Sequence, residues 1–180
     1  MTPGSAPARL RYAVSGLGLE PDMRLLEVGG GHGALAALAC ELLSPGKGFY
    51  LGVDRSAVAT RAAEERNAAA VAVGLARFVT APLAGVDPSV WAPFDRAVAV
   101  NVNVFWTGAA EAELAALARL LTPDGVLHLV YEPPAAERLE PLRAGLAEHL
   151  STAGWRWAAD AGGASGRSHG LLRVRAQPGP

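Results

Sequence analysis

Short apolar runs alternate along the chain with longer segments in which apolar residues recur at helical spacing. The short runs have the length of buried strands and lie at Arg24–Val28, Phe49–Val53, Leu75–Val79, Arg96–Val100, Val126–Tyr131, Trp155–Ala158 and Leu171–Arg175. Helices are predicted at Gly33–Leu43, from Ser56 to about Ala70, at Ala109–Leu121 and around Leu139–Leu150. Thr122–Gly125 is predicted to form a turn and Asp160–Ser168 a mobile loop.

Strands that are separated by helices indicate a parallel sheet with helices on both faces. The last two predicted strands have no helix between them, so one of them is expected to run antiparallel. No repeat or interdomain linker interrupts the pattern, and 180 residues fit a single domain, 1–180. Met1–Gly18 precedes the first strand and is a candidate lid over a substrate site.

Composition narrows the partners that the chain is expected to bind. The formal net charge is -1, from 16 basic and 17 acidic residues, so no long-range field attracts nucleic acid or an anionic membrane. No run approaches the roughly 18 apolar residues of a membrane span, and no signal-peptide pattern opens the chain. A cytoplasmic protein is therefore expected. The single cysteine excludes an intrachain disulfide, and no metal-ligand spacing is found.

Alternate glycines follow the first predicted strand in the segment Leu26–Gly33. Glycine lets the backbone turn sharply and leaves room for a ligand against the main chain, and the start of the following helix offers free N–H groups. Asp54 ends the second strand, 21 residues after Gly33, where a carboxylate accepts hydrogen bonds from ribose hydroxyls. The loop and the acid together predict a site for a nucleoside-containing cofactor.

Two classes of cofactor fit this loop. Gly29-x-Gly31-x-x-Ala34 matches the dinucleotide fingerprint in its G-x-G-x-x-A form, so an NAD-type oxidoreductase stays open as an alternative. Glu27 favours S-adenosylmethionine instead. A carboxylate beside the phosphate position would repel a pyrophosphate, whereas it suits the ammonium and sulfonium groups of S-adenosylmethionine.

The pattern Glu-x-Gly-x-Gly-x-Gly at Glu27–Gly33 resembles the first motif of the class I S-adenosylmethionine-dependent methyltransferases. The resemblance extends through Gly52–Asp54, Phe94–Asn101 and Leu120–Leu127, and it covers roughly Arg24 to Tyr131. It implies an α/β fold with a seven-stranded, mostly parallel sheet, helices on both faces and the last strand antiparallel.

The resemblance also implies which loop residues bind the cofactor. Gly29, Gly31 and Gly33 would approach its methionine portion, with His32 as a further contact in the same loop. Glu27 would lie close to its positive groups.

Further cofactor contacts are implied at the ends of the later strands. Asp54 would bind the ribose, Arg55 would lie near the adenine, and Asn101 would lie beside the cofactor. Many members of the family place an acid after the third strand, where it contacts the adenine amine. Ala81 occupies that position here, so backbone groups are expected to take over the contact.

Polar and aromatic residues follow two of the predicted strands, in Asn101–Trp106 and Tyr131–Pro134. Both segments emerge at the carboxyl edge of the sheet, where open α/β sheets bind ligands. They are expected to line the acceptor site, with Met1–Gly18 or a homodimer partner as its cover. The catalytic residues stay unassigned among Asn101, Asn103, Trp106, Tyr131 and Glu132.

The sequence therefore predicts an enzyme that transfers a methyl group from S-adenosylmethionine to a small molecule, without a nucleic acid or membrane partner and without a metal. Two alternatives stay open. One is the NAD-type oxidoreductase, and the other is a catalytically inactive nucleoside-binding or partner-scaffolding protein of the same fold.

Overall fold

The fold is seen in a computed structural model of the chain, which describes residues 6–91, 93–108, 110–162 and 170–179. Seven strands make up its sheet: β1 Arg24–Val28, β2 Phe49–Asp54, β3 Ala76–Thr80, β4 Phe94–Val100, β5 Leu121–Tyr131, β6 Arg156–Gly162 and β7 Leu171–Gln177. The α-helices are α1 Ala8–Ser15, α2 Ala34–Leu43, α3 Ala57–Arg66, α4 Ala68–Ala72, α5 Pro88–Trp91, α6 Val104–Thr107, α7 Glu111–Leu120 and α8 Leu139–Thr152.

The strands lie in the order β3-β2-β1-β4-β5-β7-β6. β1 pairs in parallel with β2 and β4, and the pairs β2–β3 and β4–β5 are also parallel. β7 lies between β5 and β6 and runs antiparallel to both. The predicted seven-stranded sheet, mostly parallel with its last strand antiparallel, is confirmed.

Helices cover both faces of the sheet because successive strand residues point to opposite sides. Leu25 of β1 packs in one buried cluster with apolar residues of α1 and α2. Leu26, the next residue, packs in a second cluster with residues of α7 and α8. Strands that are apolar on both faces are typical of parallel sheets buried between helices.

The described part of the predicted lid contains α1. Leu10, Ala13 and Val14 of this helix are buried in the first cluster, so α1 is a packed element of the fold. A covering role for Met1–Gly18 stays a prediction.

Three predicted boundaries are wrong, each for a local reason. The helix predicted from Ser56 to about Ala70 breaks at Asn67, whose backbone leaves helical geometry and whose side chain donates to Ala63 O at 2.8 Å. The fifth strand begins at Leu121, not at the predicted Val126, because Leu121 already pairs with Phe94; the predicted turn Thr122–Gly125 lies at the register shift that follows this pair. Asp160 continues β6, since it pairs with Arg173.

Two predicted features extend beyond the described part of the chain. The remainder of the predicted loop, 163–168, lies outside the described residues, as does Ala109 at the predicted start of α7.

No described helix has the length and apolar character needed to cross a bilayer.

The chain reverses its direction of travel across the sheet at β1. It proceeds outward from β1 to β2 and β3, then returns to β4 on the other side of β1. The connections that leave β1 and β4 therefore diverge, and a crevice opens at their carboxyl ends. This switch point is where open α/β sheets bind their ligands.

Candidate active site

The glycine loop, Gly29–Gly33, connects β1 to α2 and bends over the end of β2. Gly29 N donates a hydrogen bond to Val53 O at 2.8 Å, and Gly33 N donates to Gly30 O at 3.0 Å. Gly31 has a φ of +52°, and no atom lies within 4 Å of the point where a Cβ would stand. The middle of the loop therefore presents bare backbone to open space, as a close-fitting ligand requires.

Asn67 ties the glycine loop to α3. Its Nδ2 donates to Gly33 O at 3.0 Å, and a Cβ on Gly33 would lie only 2.5 Å from this nitrogen. Gly33 also has a φ of +71°, so both its backbone and its surroundings require glycine. Asn67 was not predicted from the sequence. Its signal is a polar amide with low helix propensity inside an alanine-rich stretch.

Asp54 joins the loop to the start of α3 through both carboxylate oxygens. Oδ2 accepts from Gly31 N at 2.9 Å, and Oδ1 accepts from Ser56 N at 2.8 Å. Ser56 Oγ in turn accepts from Ala59 N at 3.3 Å and caps α3 as predicted. The carboxylate is half-buried, so it holds the loop and still faces the crevice.

Glu27 lies beneath the loop, where it is 3% exposed. The Tyr50 hydroxyl donates a hydrogen bond to Glu27 Oε2. A Cβ on Gly52 would lie 2.7 Å from Phe78 Cδ1 and 3.2 Å from Tyr50 Cε1, so the glycine leaves room for both rings. The pKa of Glu27 is raised to about 7, chiefly by burial; the Tyr50 hydrogen bond opposes the rise, and the nearby charge of Asp54 adds to it. Tyr50 was not predicted, because nothing local marks it as the partner of a residue on another strand.

The crevice holds a cavity of about 440 Å³, here named the Asp54 cavity. Four predicted residues line it: Gly29, Asp54, Arg55 and Ala81. Glu113 of α7 lines the same cavity and was not predicted. His32 is exposed, and neither it nor Gly31 is among the lining residues.

A second cavity, of about 320 Å³, is here named the Trp106 cavity. All five candidate catalytic residues line it, together with Pro133, Pro134, Arg138 and Leu142; the five are Asn101, Asn103, Trp106, Tyr131 and Glu132. The two segments that follow β4 and β5 are thus brought together around one space. Prolines and an aromatic ring next to a few polar groups are typical of small-molecule pockets.

Several of these polar groups hold the walls of the cavity. Asn101 has a φ of +57°, and its Oδ1 accepts from Glu132 N at 2.9 Å. The Tyr131 hydroxyl donates to Val102 O at 2.7 Å, and burial raises the pKa of this phenol, so it keeps its proton. Glu132 pairs with Arg9 of α1 at 3.4 Å. Within the described chain, Trp106 Nε1 is buried and has no hydrogen-bond partner.

The segment Asn101–Trp106 separates the two cavities. Val102 and Val104 line the Asp54 cavity, whereas Asn101, Asn103 and Trp106 line the Trp106 cavity. One stretch of backbone therefore contributes alternate residues to both spaces. Among the described residues, no group of histidine, cysteine and acidic side chains could hold a metal ion.

Comparison with known families identifies the architecture. The sequence model of a protein family described as 'Methyltransferase domain' matches residues 26–127 of this chain. The chain belongs to this family. A comparison with curated proteins finds no match. Membership implies S-adenosylmethionine as the cofactor of this methyltransferase domain.

Solved structures share the fold. Precorrin-6y C5,15-methyltransferase from Geobacter metallireducens is 18% identical with a TM-score of 0.70, over 94% of this chain and 87% of that one. A SAM-dependent methyltransferase from Aquifex aeolicus is 17% identical with a TM-score of 0.69, over 93% and 88%. The [4+2]-cyclase SpnF is 16% identical with a TM-score of 0.70, over 94% and 80%. At these identities the likeness shows the fold alone.

The residues of the methyltransferase domain fit S-adenosylmethionine. The open surface at Gly31 leaves space that a side chain would fill, and the Asp54 carboxylate faces the same crevice. Glu27 and Asp54 make this end of the sheet negative when both are ionised, which suits a cofactor with an ammonium and a sulfonium group.

Glu27→Gln should make the stability of the protein less sensitive to pH. The pKa of Glu27 is about 7 in the folded protein against 4.5 for the free side chain. Between these two pH values the folded protein keeps Glu27 protonated, whereas the unfolded chain has lost that proton. The stabilisation that the raised pKa gives is therefore full below about pH 4.5 and is lost as the pH rises through about 7. Glutamine still accepts from Tyr50. Because the variant does not titrate at this position, its free energy of unfolding should rise relative to that of wild type by on the order of 3 kcal/mol between about pH 4.5 and about pH 7.

Urea unfolding at about pH 5 and about pH 8 measures this difference. Glu64→Gln is the control, because Glu64 is an exposed carboxylate of α3. The same wild-type-to-variant difference at both pH values would contradict the prediction.

Gly31→Val should abolish binding of S-adenosylhomocysteine. Its side chain would fill the open space, and valine resists a φ of +52°. Gly74→Val is a matched control, since Gly74 has a φ of +75° and no atom within 4 Å of its Cβ position, and it does not line the Asp54 cavity. Both variants should lose about 1–2 kcal/mol of stability. Calorimetry that finds equal affinity in the two folded variants removes the loop from the site.

Proposed function

We propose that this chain transfers a methyl group from S-adenosylmethionine, held in the Asp54 cavity, to a small molecule held in the Trp106 cavity. The observation that carries the proposal is the segment Asn101–Trp106, which lines both cavities. Methyl transfer needs a nucleophile in line with the sulfonium methyl group, and positioning supplies much of the rate. Two adjoining cavities with a shared wall provide such an arrangement.

Glu113 is proposed to supply the carboxylate that Ala81 lacks. The N–H of Ala81 donates to Asp54 O at 3.0 Å. This backbone group is therefore already hydrogen-bonded to the end of β2, and it cannot accept a hydrogen bond from the adenine amine as an acid would. Glu113 is half-buried at the wall of the same cavity. Its carboxylate is therefore the acceptor that we assign to the adenine amine.

The acceptor molecule is proposed to be small and uncharged or weakly charged. A volume of about 320 Å³ is at the lower end of small-molecule pockets, and Glu132 and Arg138 bring one charge of each sign to the cavity lining. The Tyr131 phenol is bonded to Val102 O, so Glu132 is the residue that we assign to accept a proton from an acceptor that binds in protonated form. A homodimer and a cytoplasmic location stay predictions.

A thermal-shift panel tests the cofactor. S-adenosylmethionine and S-adenosylhomocysteine should stabilise the protein by roughly 2.7 kcal/mol at 100 times their dissociation constants, whereas NAD, NADP and ATP should not. Stabilisation by NAD alone would restore the oxidoreductase alternative. Binding of both adenosyl compounds without methyl transfer to any acceptor in a broad screen would favour the inactive binding protein.

The same ligands test the role of Glu113. Glu113→Gln should weaken S-adenosylhomocysteine binding roughly tenfold, the loss expected for one hydrogen bond to a charged group. Glu111→Gln serves as its control, because Glu111 is exposed in the first turn of the same helix and does not line the Asp54 cavity. Equal affinity in both variants would exclude Glu113 from the cofactor site.

Trp106→Phe tests the acceptor site once an acceptor has been found. The change keeps an aromatic wall but removes the indole N–H, which has no partner in the described protein. We expect KM for the acceptor to rise roughly tenfold while S-adenosylhomocysteine binds normally. Trp91→Phe is the control, since Trp91 stacks on Phe49 away from both cavities. An unchanged KM would place the acceptor elsewhere.

A further inference from the structure

A third cavity, of about 550 Å³, lies at the amino edge of β5, opposite the candidate active site. It is here named the His128 cavity. Arg96 at the start of β4, Arg156 at the start of β6 and Arg175 near the end of β7 line it with His128. Strand pairing places them on one face of the sheet, because Arg96 is opposite Val126, His128 is opposite Arg175, and Val126 and His128 are two residues apart. It is the face of the sheet on which α1 packs.

Positive charge exceeds negative charge around this cavity. Asp160 pairs with Arg175 at 3.2 Å. Arg156 is exposed and makes no ion pair or hydrogen bond within the described residues. Arg173 lies two residues before Arg175 on β7. Its guanidinium is 4.1 Å from the centre of the Tyr12 ring and donates a hydrogen bond to Tyr12 O, so it is already bound to α1. Three guanidinium groups thus line the cavity, and Asp160 is the only carboxylate that lines it or forms an ion pair with its lining within the described part of the chain.

Arg96 is fixed in place before any ligand arrives. Its Nε donates to Leu17 O at 2.9 Å, and its Nη1 donates to Asp95 O at 2.8 Å. Its Nη2 makes no hydrogen bond in the described part of the chain and is left for another acceptor. A guanidinium that is already held loses little freedom when it binds an anion.

His128 forms part of the cavity floor and is only 3% exposed. Neither ring nitrogen has a partner among the described residues. The pKa of His128 is lowered to about 4, chiefly by burial and also by the charges of Arg96, Arg173 and Arg175, against the opposing effect of Asp160. A buried imidazole without hydrogen bonds next to several guanidinium groups is costly, and a nearby anion would relieve that cost.

From these contacts we infer that the His128 cavity binds a phosphate group, either free or as a monoester, between Arg96, Arg156 and Arg175. Three guanidinium groups against one carboxylate leave two positive charges, which match a dianion better than a single carboxylate. Guanidinium groups also bind phosphate oxygens in a bidentate manner. This site lies at the opposite edge of the sheet from the Asp54 cavity, so the inference does not depend on the proposed methyl transfer.

Calorimetry of the full chain with inorganic phosphate tests the site, at an ionic strength kept constant with chloride. Arg156→Gln should weaken phosphate binding roughly tenfold or more, as expected for the loss of a charge-assisted hydrogen bond. Arg77→Gln is the matched control, because Arg77 is an exposed arginine of β3 at the other side of the sheet. Both variants should bind S-adenosylhomocysteine as wild type does, which separates this test from that of the proposed function.

A second readout follows the imidazole itself. Bound phosphate should raise the pKa of His128, because a nearby anion favours the imidazolium, and NMR titration with and without phosphate measures the change. Glycerol 3-phosphate in a parallel titration distinguishes the source: tighter binding than phosphate indicates a monoester, and weaker binding indicates the free ion. Equal phosphate affinity in wild type and Arg156→Gln, or binding no stronger than that of acetate, would overturn the inference.

Discussion

The hydrogen bond from Tyr50 to Glu27 lies directly under the glycine loop. Glu27 is on β1 and Tyr50 is on β2, and both side chains are buried. Burying a carboxyl group in this position is costly without a partner, and Gly52 leaves room for the ring of that partner and for Phe78 beside it. Above the pair, a Cβ on Gly30 would lie 3.0 Å from Glu27 Oε2. The buried acid therefore requires a small residue at Gly30, whether or not a ligand lies above the loop.

Asp54 extends the same arrangement to the surface of the crevice. Its two oxygens connect the loop after β1 to the helix after β2, and Asn67 connects the far end of that loop to α3. Two of these bonds, from Gly31 N to Asp54 Oδ2 and from Asn67 Nδ2 to Gly33 O, join residues that are 23 and 34 positions apart in the sequence. The loop thus has a fixed shape even though three of its five residues have positive φ.

The strands and the glycine loop were predictable from the sequence because their signals are local. Arg24–Val28 is an apolar run that ends in glycine, and its neighbours along the chain carry similar signals. The break at Asn67 was missed because alanine-rich sequence on both sides favours one helix, whereas the amide bonds to a loop 34 residues away. The start of β5 was missed because Leu121 is held by pairing with Phe94, across a register shift that no periodicity reveals.

The residues of the candidate site that lie at strand ends were also predictable from the sequence, whereas those brought in by packing were not. Gly29, Asp54 and Ala81 line one cavity because they follow adjacent parallel strands, a placement that the strand order dictates. Glu113 reaches that cavity from α7, and Tyr50 reaches Glu27 from the neighbouring strand. Such contacts depend on how a helix packs on the sheet or on which side chain fills a gap, and neither is encoded by a local motif.

The shared wall at Asn101–Trp106 has a thermodynamic consequence. A ligand that restrains this segment from one cavity bears the entropy cost of ordering it, and a ligand in the other cavity then meets a segment already ordered. If ligands in both cavities order this segment, the two occupancies are linked, and each ligand changes the affinity for the other by the same factor. The clamp from Asn101 Oδ1 to Glu132 N carries the restraint from the end of β4 to the end of β5. Cooperativity between the two cavities would then arise from a single stretch of backbone, without any movement of domains.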